Sequence, residues 1–307
     1  MLNKTIRVRV PGTSANCGPG FDAIGVACTI YNELELTFLE EQGIVIDIEG
    51  EGAGNIPRDE RNIVVRSIRL ILKRARMADK VQGFRIRMKN NIPLSRGLGS
   101  SAAAIVAGIK AANTLLDNRF SRRELLQMAT DIEGHPDNVA PAIFGGFTVS
   151  VVTRGRVECF SLMPRMALKL VVAVPEFPLS TKLARSVLPQ EVPLKDAVFN
   201  VSRAALLVAA LLKGHPRFLR SALSDALHQP YREKLIPGMK DVFRAAHKAG
   251  ALGASLSGAG PCLMAYALQD EEAVGEAMVK AFAQHGIEAH ALQLAIDSHG
   301  ARILKRH

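Results

Sequence analysis

The chain has no tryptophan, and only 5% of its 307 residues are aromatic. The stacking platforms that single-stranded nucleic acid requires therefore have little to be built from. Its four cysteines, Cys17, Cys28, Cys159 and Cys262, stand far apart, with no CxxC pair and no Cys/His cluster. That spacing offers neither a zinc site nor a disulfide framework, and it fits a reducing compartment. Long apolar runs are missing as well. The longest, Ala204 to Leu212, is flanked by Arg203 and Lys213 and falls far short of the roughly 20 residues needed to span a bilayer. It reads as a buried helix. The opening MLNKTIRVRVP alternates Ile6, Val8 and Val10 with Arg7 and Arg9, a strand pattern rather than the apolar core of a signal peptide. A cytoplasmic protein without membrane association is the expectation.

What the chain does have is an excess of positive charge, +10, on a background of 48% hydrophobic and 22% charged residues. Such a composition can bury a sizeable core, and the length suits two compact domains better than one. The charge attracts anions, whether nucleic acid, an anionic membrane or phosphorylated small molecules. Basic residues are interleaved with acidic ones, as in Arg122-Arg123-Glu124 and Arg232-Glu233-Lys234. Most of the charge therefore reads as solvated surface, and no nucleic-acid partner is expected.

No repeat or low-complexity linker interrupts the chain, so a domain boundary must be short, and the region of Met163 and Pro164 offers the best place for one. Strand patterns near 5–10, 34–38, 44–49 and 83–89 come first, then helical patterns near 100–116 and 122–133. Ser121 with Glu124 three residues on has the form of a capping box, and Gly134 before Pro136 should end that helix. Beyond the boundary a strand at 168–174, helices over 181–249, a strand at 262–267, a helix near 271–284 and a last strand near 288–296 follow. The order predicts an α+β protein with domains at 1–163 and 164–307.

Three glycine-rich segments carry the functional signal. The sharpest is Pro93-Leu94-Ser95-Arg96-Gly97-Leu98-Gly99-Ser100-Ser101-Ala102-Ala103, between a strand and an apolar helix. Gly97 and Gly99 allow close backbone approach, and the helix N-terminus aims free N–H groups and a positive dipole end at an anion. Taken alone it could also be a glycine turn before a capped helix. It is not a Walker A loop, because the required lysine is missing. Nor is it a dinucleotide fingerprint, because Asn90 to Pro93 separate the strand from the glycines. The second segment, Pro11 to Asp22, combines small residues with the polar Asn16 and Asp22, and the third, Gly253 to Pro261, again mixes glycines with hydroxyls.

In order and spacing, PGTSANCGPGFDAIGVA, PLSRGLGSSAAA and GASLSGAGP resemble the three motifs of the kinases acting on galactose, homoserine, mevalonate and phosphomevalonate, the GHMP kinases. TSANCGPGFD and EGHPDNVAPAIFGG resemble the signatures of the homoserine-phosphorylating branch. The resemblance runs over essentially the whole chain. It implies a half like the second domain of ribosomal protein S5 followed by a ferredoxin-like half with extra helices, and an active site between them. It also implies that the Pro93–Ala103 loop wraps the phosphates of ATP and that Ser101, with Ser100 beside it, joins Glu133 in holding magnesium. One hydroxyl and one carboxylate suit that ion, which takes oxygen ligands and keeps waters. The substrate positions carried over are Asn16, Asp22, His135, Asp137, Asn138, Thr181, Arg185, Arg232 and Gly258. Asp22 would hold an ammonium, Arg185 and Arg232 a carboxylate, and Asn138 the hydroxyl to be phosphorylated. Asp22 as a proton acceptor is the competing view. Asn138, Asp22 and Glu133 are thus the expected catalytic residues, homoserine and ATP the expected small-molecule partners, and a homodimer is compatible. A sister kinase acting on an isoprenoid or sugar alcohol, or an inactive ligand-binding protein on the same scaffold, are the rival readings.

Overall fold

A computed structural model of the chain describes residues 2–306. The first half contributes β1 (Thr5–Ala15), β2 (Ile24–Leu39), β3 (Gly43–Gly50), β4 (Gly83–Asn90), β5 (Phe147–Thr153) and β6 (Arg156–Leu162). Its helices are α1 (Ile63–Arg74), α2 (Ser100–Leu115), α3 (Arg122–Glu133) and α4 (Pro136–Phe144). The second half adds β7 (Lys169–Pro175), β8 (Gly253–Leu256), β9 (Leu263–Ala267), β10 (Ala289–Ala295) and β11 (Arg302–Arg306). Among these run α5 (Thr181–Ser186), α6 (Leu194–Lys213), α7 (Leu219–Ala222), α8 (Gln229–Arg232), α9 (Met239–Lys248) and α10 (Glu271–Ala283). This is the two-domain α+β architecture that the resemblance implied.

The strands form a seven-stranded sheet, with order β11-β1-β2-β4-β3 and β5–β6 attached to β2, and a four-stranded sheet of order β10-β7-β9-β8. The chain passes from the first sheet to the second between β6 and β7. It then returns: β11, which lies beyond the last strand expected and within the range assigned to the C-terminal domain, pairs antiparallel with β1. Lying between the sheet and α1, α2 is apolar on nearly every side, with Ile105, Val106, Ile109 and Leu115 all buried. Each large aliphatic side chain so buried contributes about 1.5–3 kcal/mol. In α1, Val64, Val65, Ile68, Ile71 and Leu72 make a helical stripe, and Asn62 caps the start by accepting from the Val64 N–H at 2.9 Å.

Several local expectations hold, and others need correction. The Ser121/Glu124 capping box is present, and Gly134 closes α3 at φ 93°. The chain does not stay irregular past Pro136, however. That proline takes the first position of α4, where its missing N–H costs nothing, so a stop signal for one helix is also the start of the next. The Pro11–Asp22 segment is a turn only in its second part, because β1 runs on to Ala15, pairing Gly12 with Cys28 and Ala15 with Gly25. The apolar run of α6 is buried on one side alone: Leu207, Ala210 and Leu211 face inward, while Ala205, Ala209 and Leu212 are exposed. Among the described residues no helix is long and apolar enough to cross a membrane.

Candidate active site

The three glycine-rich segments are bonded to one another. Gly258 N–H donates to Ala15 O at 3.1 Å, and Asn16 Nδ2 donates to Gly258 O at 2.8 Å. Ser257 Oγ donates to Gly97 O at 2.7 Å and lies 2.8 Å from Ser14 Oγ. Thr13 N–H reaches Leu98 O at 3.0 Å, and Cys262 N–H reaches Arg96 O at 3.1 Å. Two glycines make this possible: a Cβ on Gly97 would stand 2.1 Å from Ser257 O and one on Gly99 2.0 Å from Thr13 Oγ1, both at positive φ. The knot forms one wall of a cavity of about 510 Å³.

Every residue from Pro93 to Ser101 lines that cavity. Ala102 and Ala103 do not. They lie on the opposite side of the first turn of α2, fully buried in the core, and the Ala103 N–H is already given to Gly99 O. Ala104, one turn on from Ser100 and Ser101, faces the cavity instead. Gly99 opens α2 without a side-chain cap, so the N–H groups of the first turn point into the opening.

Glu133, at the end of α3, accepts from Ser101 Oγ at 3.0 Å. Burial raises its pKa; the nearby His135 and the Ser101 hydrogen bond oppose that shift without cancelling it. His135 Nδ1 lies 2.5 Å from Asp137 Oδ1. Burial works against charge on the imidazole, but the hydrogen bond and charge of Asp137, aided by Glu133, outweigh it and raise the pKa. Asn138 Oδ1 accepts from Thr13 Oγ1 at 2.8 Å.

In the same cavity Asp22 is gripped by Arg185 through two hydrogen bonds, 3.0 and 2.7 Å, both side chains being about one third exposed. Arg232 is 1% exposed. Its Nε donates to Ala184 O at 3.1 Å and its Nη1 to Gly258 O at 3.0 Å. Burial, reinforced by Arg185, lowers its pKa to about 10. Asn16, Thr181 and Gly258 complete this group, with Asn16 Oδ1 accepting the Asp22 N–H at 3.0 Å. All nine substrate positions expected from the resemblance thus line one cavity with the glycine loop, Ser101 and Glu133.

This chain matches the models for the GHMP kinases N terminal domain, over residues 62–146, and GHMP kinases C terminal, over residues 207–284. It is 46% identical over 297 residues to a homoserine kinase of Moorella thermoacetica, covering 97% of this chain and 99% of that one. The chain belongs to the homoserine kinases of the GHMP kinase family. A homoserine kinase from Carboxydothermus hydrogenoformans is 44% identical, with 96% of this chain and 95% of the relative covered. Among solved structures, that of homoserine kinase from Cytophaga hutchinsonii superposes with a TM-score of 0.90 at 34% identity, over 98% of this chain and 97% of the other. Crystal structures of mevalonate kinase, such as the one in complex with R-mevalonate at 18% identity and a TM-score of 0.68, share the fold.

In this GHMP kinase two further residues at the charged end escape a reading of motifs. The ring of Phe21 lies under both guanidinium groups, 5.6 Å from Arg185 and 5.4 Å from Arg232. It also stacks on His228 at 5.3 Å. Phe21 sits inside the quoted motif, where its position between Gly20 and Asp22 was the available signal; His228 lies outside any motif.

Proposed function

We propose that the chain transfers the γ-phosphoryl group of ATP to the hydroxyl of L-homoserine, giving ADP and O-phospho-L-homoserine. The observation that carries this reading is the pairing of Asp22 with Arg185, beside the buried Arg232, in the cavity that the uncapped start of α2 also lines. An acid and two guanidiniums together match a zwitterion, whereas an isoprenoid or sugar alcohol has no use for them. The Asp22–Arg185 pair is exchanged on binding: the substrate ammonium takes the carboxylate, and its carboxylate takes Arg185 and Arg232. The Phe21 ring, 5.6 and 5.4 Å from the two guanidiniums, holds both by cation–π attraction.

ATP lies with its phosphates on the Pro93–Ser101 loop, where the first-turn N–H groups of α2 neutralise charge. The apolar Ile56, Pro57 and Met88, which also line the cavity, receive the base. Asn138, held by Thr13, orients the substrate hydroxyl toward the γ-phosphorus. A loose phosphoryl transition state asks for this positioning more than for a strong base, so Asp22 is a binder here. The oxygen donors Ser101 Oγ and Glu133, already in contact, fit magnesium, and that ion when bound neutralises the phosphate oxygens. A cytoplasmic location accords with this reading and with free cysteines, three of the four buried.

A coupled assay of ADP release with homoserine, serine, threonine, mevalonate and galactose tests the proposal. Homoserine must be the best acceptor. Mevalonate or galactose turned over as well as homoserine would overturn it.

A further inference from the structure

Arg232 is a buried cation with no carboxylate bonded to it among the described residues. Its hydrogen bonds go to two carbonyl oxygens, of Ala184 and Gly258, and to one ring nitrogen, His228 Nδ1, at 3.2 Å from Nη1. A guanidinium has only donors, so the nitrogen it meets must be an acceptor. The other edge of the ring decides the tautomer: His228 Nε2 lies 2.7 Å from the carbonyl oxygen of Gly18, which accepts only, so the proton is on Nε2. His228 itself is wholly buried at the start of α8, one turn before Arg232.

Its backbone is fixed too. Asp225 accepts the N–H groups of Leu227, His228 and Gln229 at 3.0, 2.9 and 2.7 Å, and Asn200 Nδ2 at 2.9 Å. Phe21 stacks on one ring face. Three charged groups bear on the imidazole: Asp225, with Oδ2 3.6 Å from Nε2, Arg232 and Asp22.

From this geometry we infer that His228 is a positioning residue, whose unprotonated Nδ1 holds the Arg232 guanidinium in the orientation that meets the substrate carboxylate. The inference rests on the proposed carboxylate clamp. A proton on Nδ1 would remove the acceptor and set a second cation against Arg232. Burial lowers the His228 pKa and Arg232 lowers it further, against the pull of Asp225 and Asp22, which keeps the ring neutral.

Three full-length variants separate the two edges of the ring. His228→Asn places an amide oxygen near the position of Nδ1 and keeps the acceptor. His228→Gln can reach Gly18 and loses that acceptor, and His228→Phe keeps only the stack on Phe21. Steady-state kinetics should show the homoserine KM raised about 10-fold or more in the Gln and Phe variants, with kcat and the ATP KM near wild type. The Asn variant should stay much closer to wild type. An Asn variant as impaired as Phe, or kcat and ATP KM that worsen together with the homoserine KM, would overturn the assignment.

Should the Gln and Phe variants not fold, the pH profile of the Asn variant decides. Wild-type homoserine KM should rise at acidic pH, below the ordinary imidazole range, where a proton reaches Nδ1, and the Asn variant should lack that component. Parallel profiles overturn the inference. A wild type inactive on homoserine refutes the clamp and this inference together; a wild type active on it with any of the overturning patterns refutes the positioning role alone.

Discussion

Asp22→Asn should erode the preference for homoserine over 4-hydroxybutyrate, the same molecule without its amino group. On the proposed clamp, the carboxylate of either compound draws Arg185 away from Asp22, to which it is bonded in the structure. Homoserine then supplies an ammonium to the vacated carboxylate, and 4-hydroxybutyrate leaves it unpaired. A hydrogen bond to a charged group contributes about 1.5–3 kcal/mol. At about 1.4 kcal/mol per decade, that is a discrimination of roughly 10- to 150-fold in kcat/KM. Asp22 and Arg185 are each about one third exposed, so solvent screening favours the lower half of that range. In the Asn variant no ion pair has to open and no charge is stranded, so homoserine should worsen while 4-hydroxybutyrate improves relative to it. Competition between the two acceptors, followed by phosphorus NMR of both products, reads the ratio directly. A ratio unchanged from wild type would refute the exchange of partners at Asp22.

Arg232→Lys should raise the homoserine KM by about 10-fold or more, because a single nitrogen cannot reproduce the planar fork whose Nε meets Ala184 O and whose Nη1 meets Gly258 O, and an unaltered KM would show that the carboxylate lies elsewhere. Glu133→Gln keeps the shape beside Ser101 and removes the charge, so the magnesium concentration for half-maximal rate should rise and kcat fall; an identical magnesium titration would remove Glu133 from the metal. His135 has a folded-state pKa raised above 6.5, so its pairing with Asp137 stabilises the fold in full below about that pH and is lost as pH rises through the raised value. The Tm advantage of wild type over His135→Gln should accordingly shrink between pH 6 and 9 on the order expected for one partly buried ion pair, and a difference independent of pH would refute the pairing.

Local signals are what a sequence displays, and here they were strong. The Ser121/Glu124 box, the glycine stop at Gly134 and the Gly97/Gly99 loop before α2 are decided within a few residues, so they could be read directly. α1 was overlooked although its stripe from Val64 to Leu72 is regular, because four arginine and lysine side chains dilute it. Proline misled at α4, since the same residue marks the end of one helix and the first position of another. The charged end of the cavity could not be read from spacing at all. Asp22 meets Arg185 across 163 positions, and nothing near Arg232 in the chain announces that it is 1% exposed. Resemblance to the GHMP kinases named those residues, but only the fold shows that the acid and the arginine hold each other. Ala102 and Ala103 belong to the motif as written and turn away from the cavity once the helix winds.

The hydrogen bonds that tie Asn16 to Gly258 and Ser257 to Gly97 span 242 and 160 positions. Closing loops of that length comes late in folding, because their ordering cost must be met before the contacts repay it. The wall of the cavity therefore cannot form before residues from both sheets have been made. During synthesis, a chain that has left the ribosome up to β10 but not yet settled β8 and β9 against the first 16 residues holds every phosphate-loop residue and still lacks a site. Neither half can retain a fraction of the activity after cleavage, and activity reports completed folding of both sheets at once.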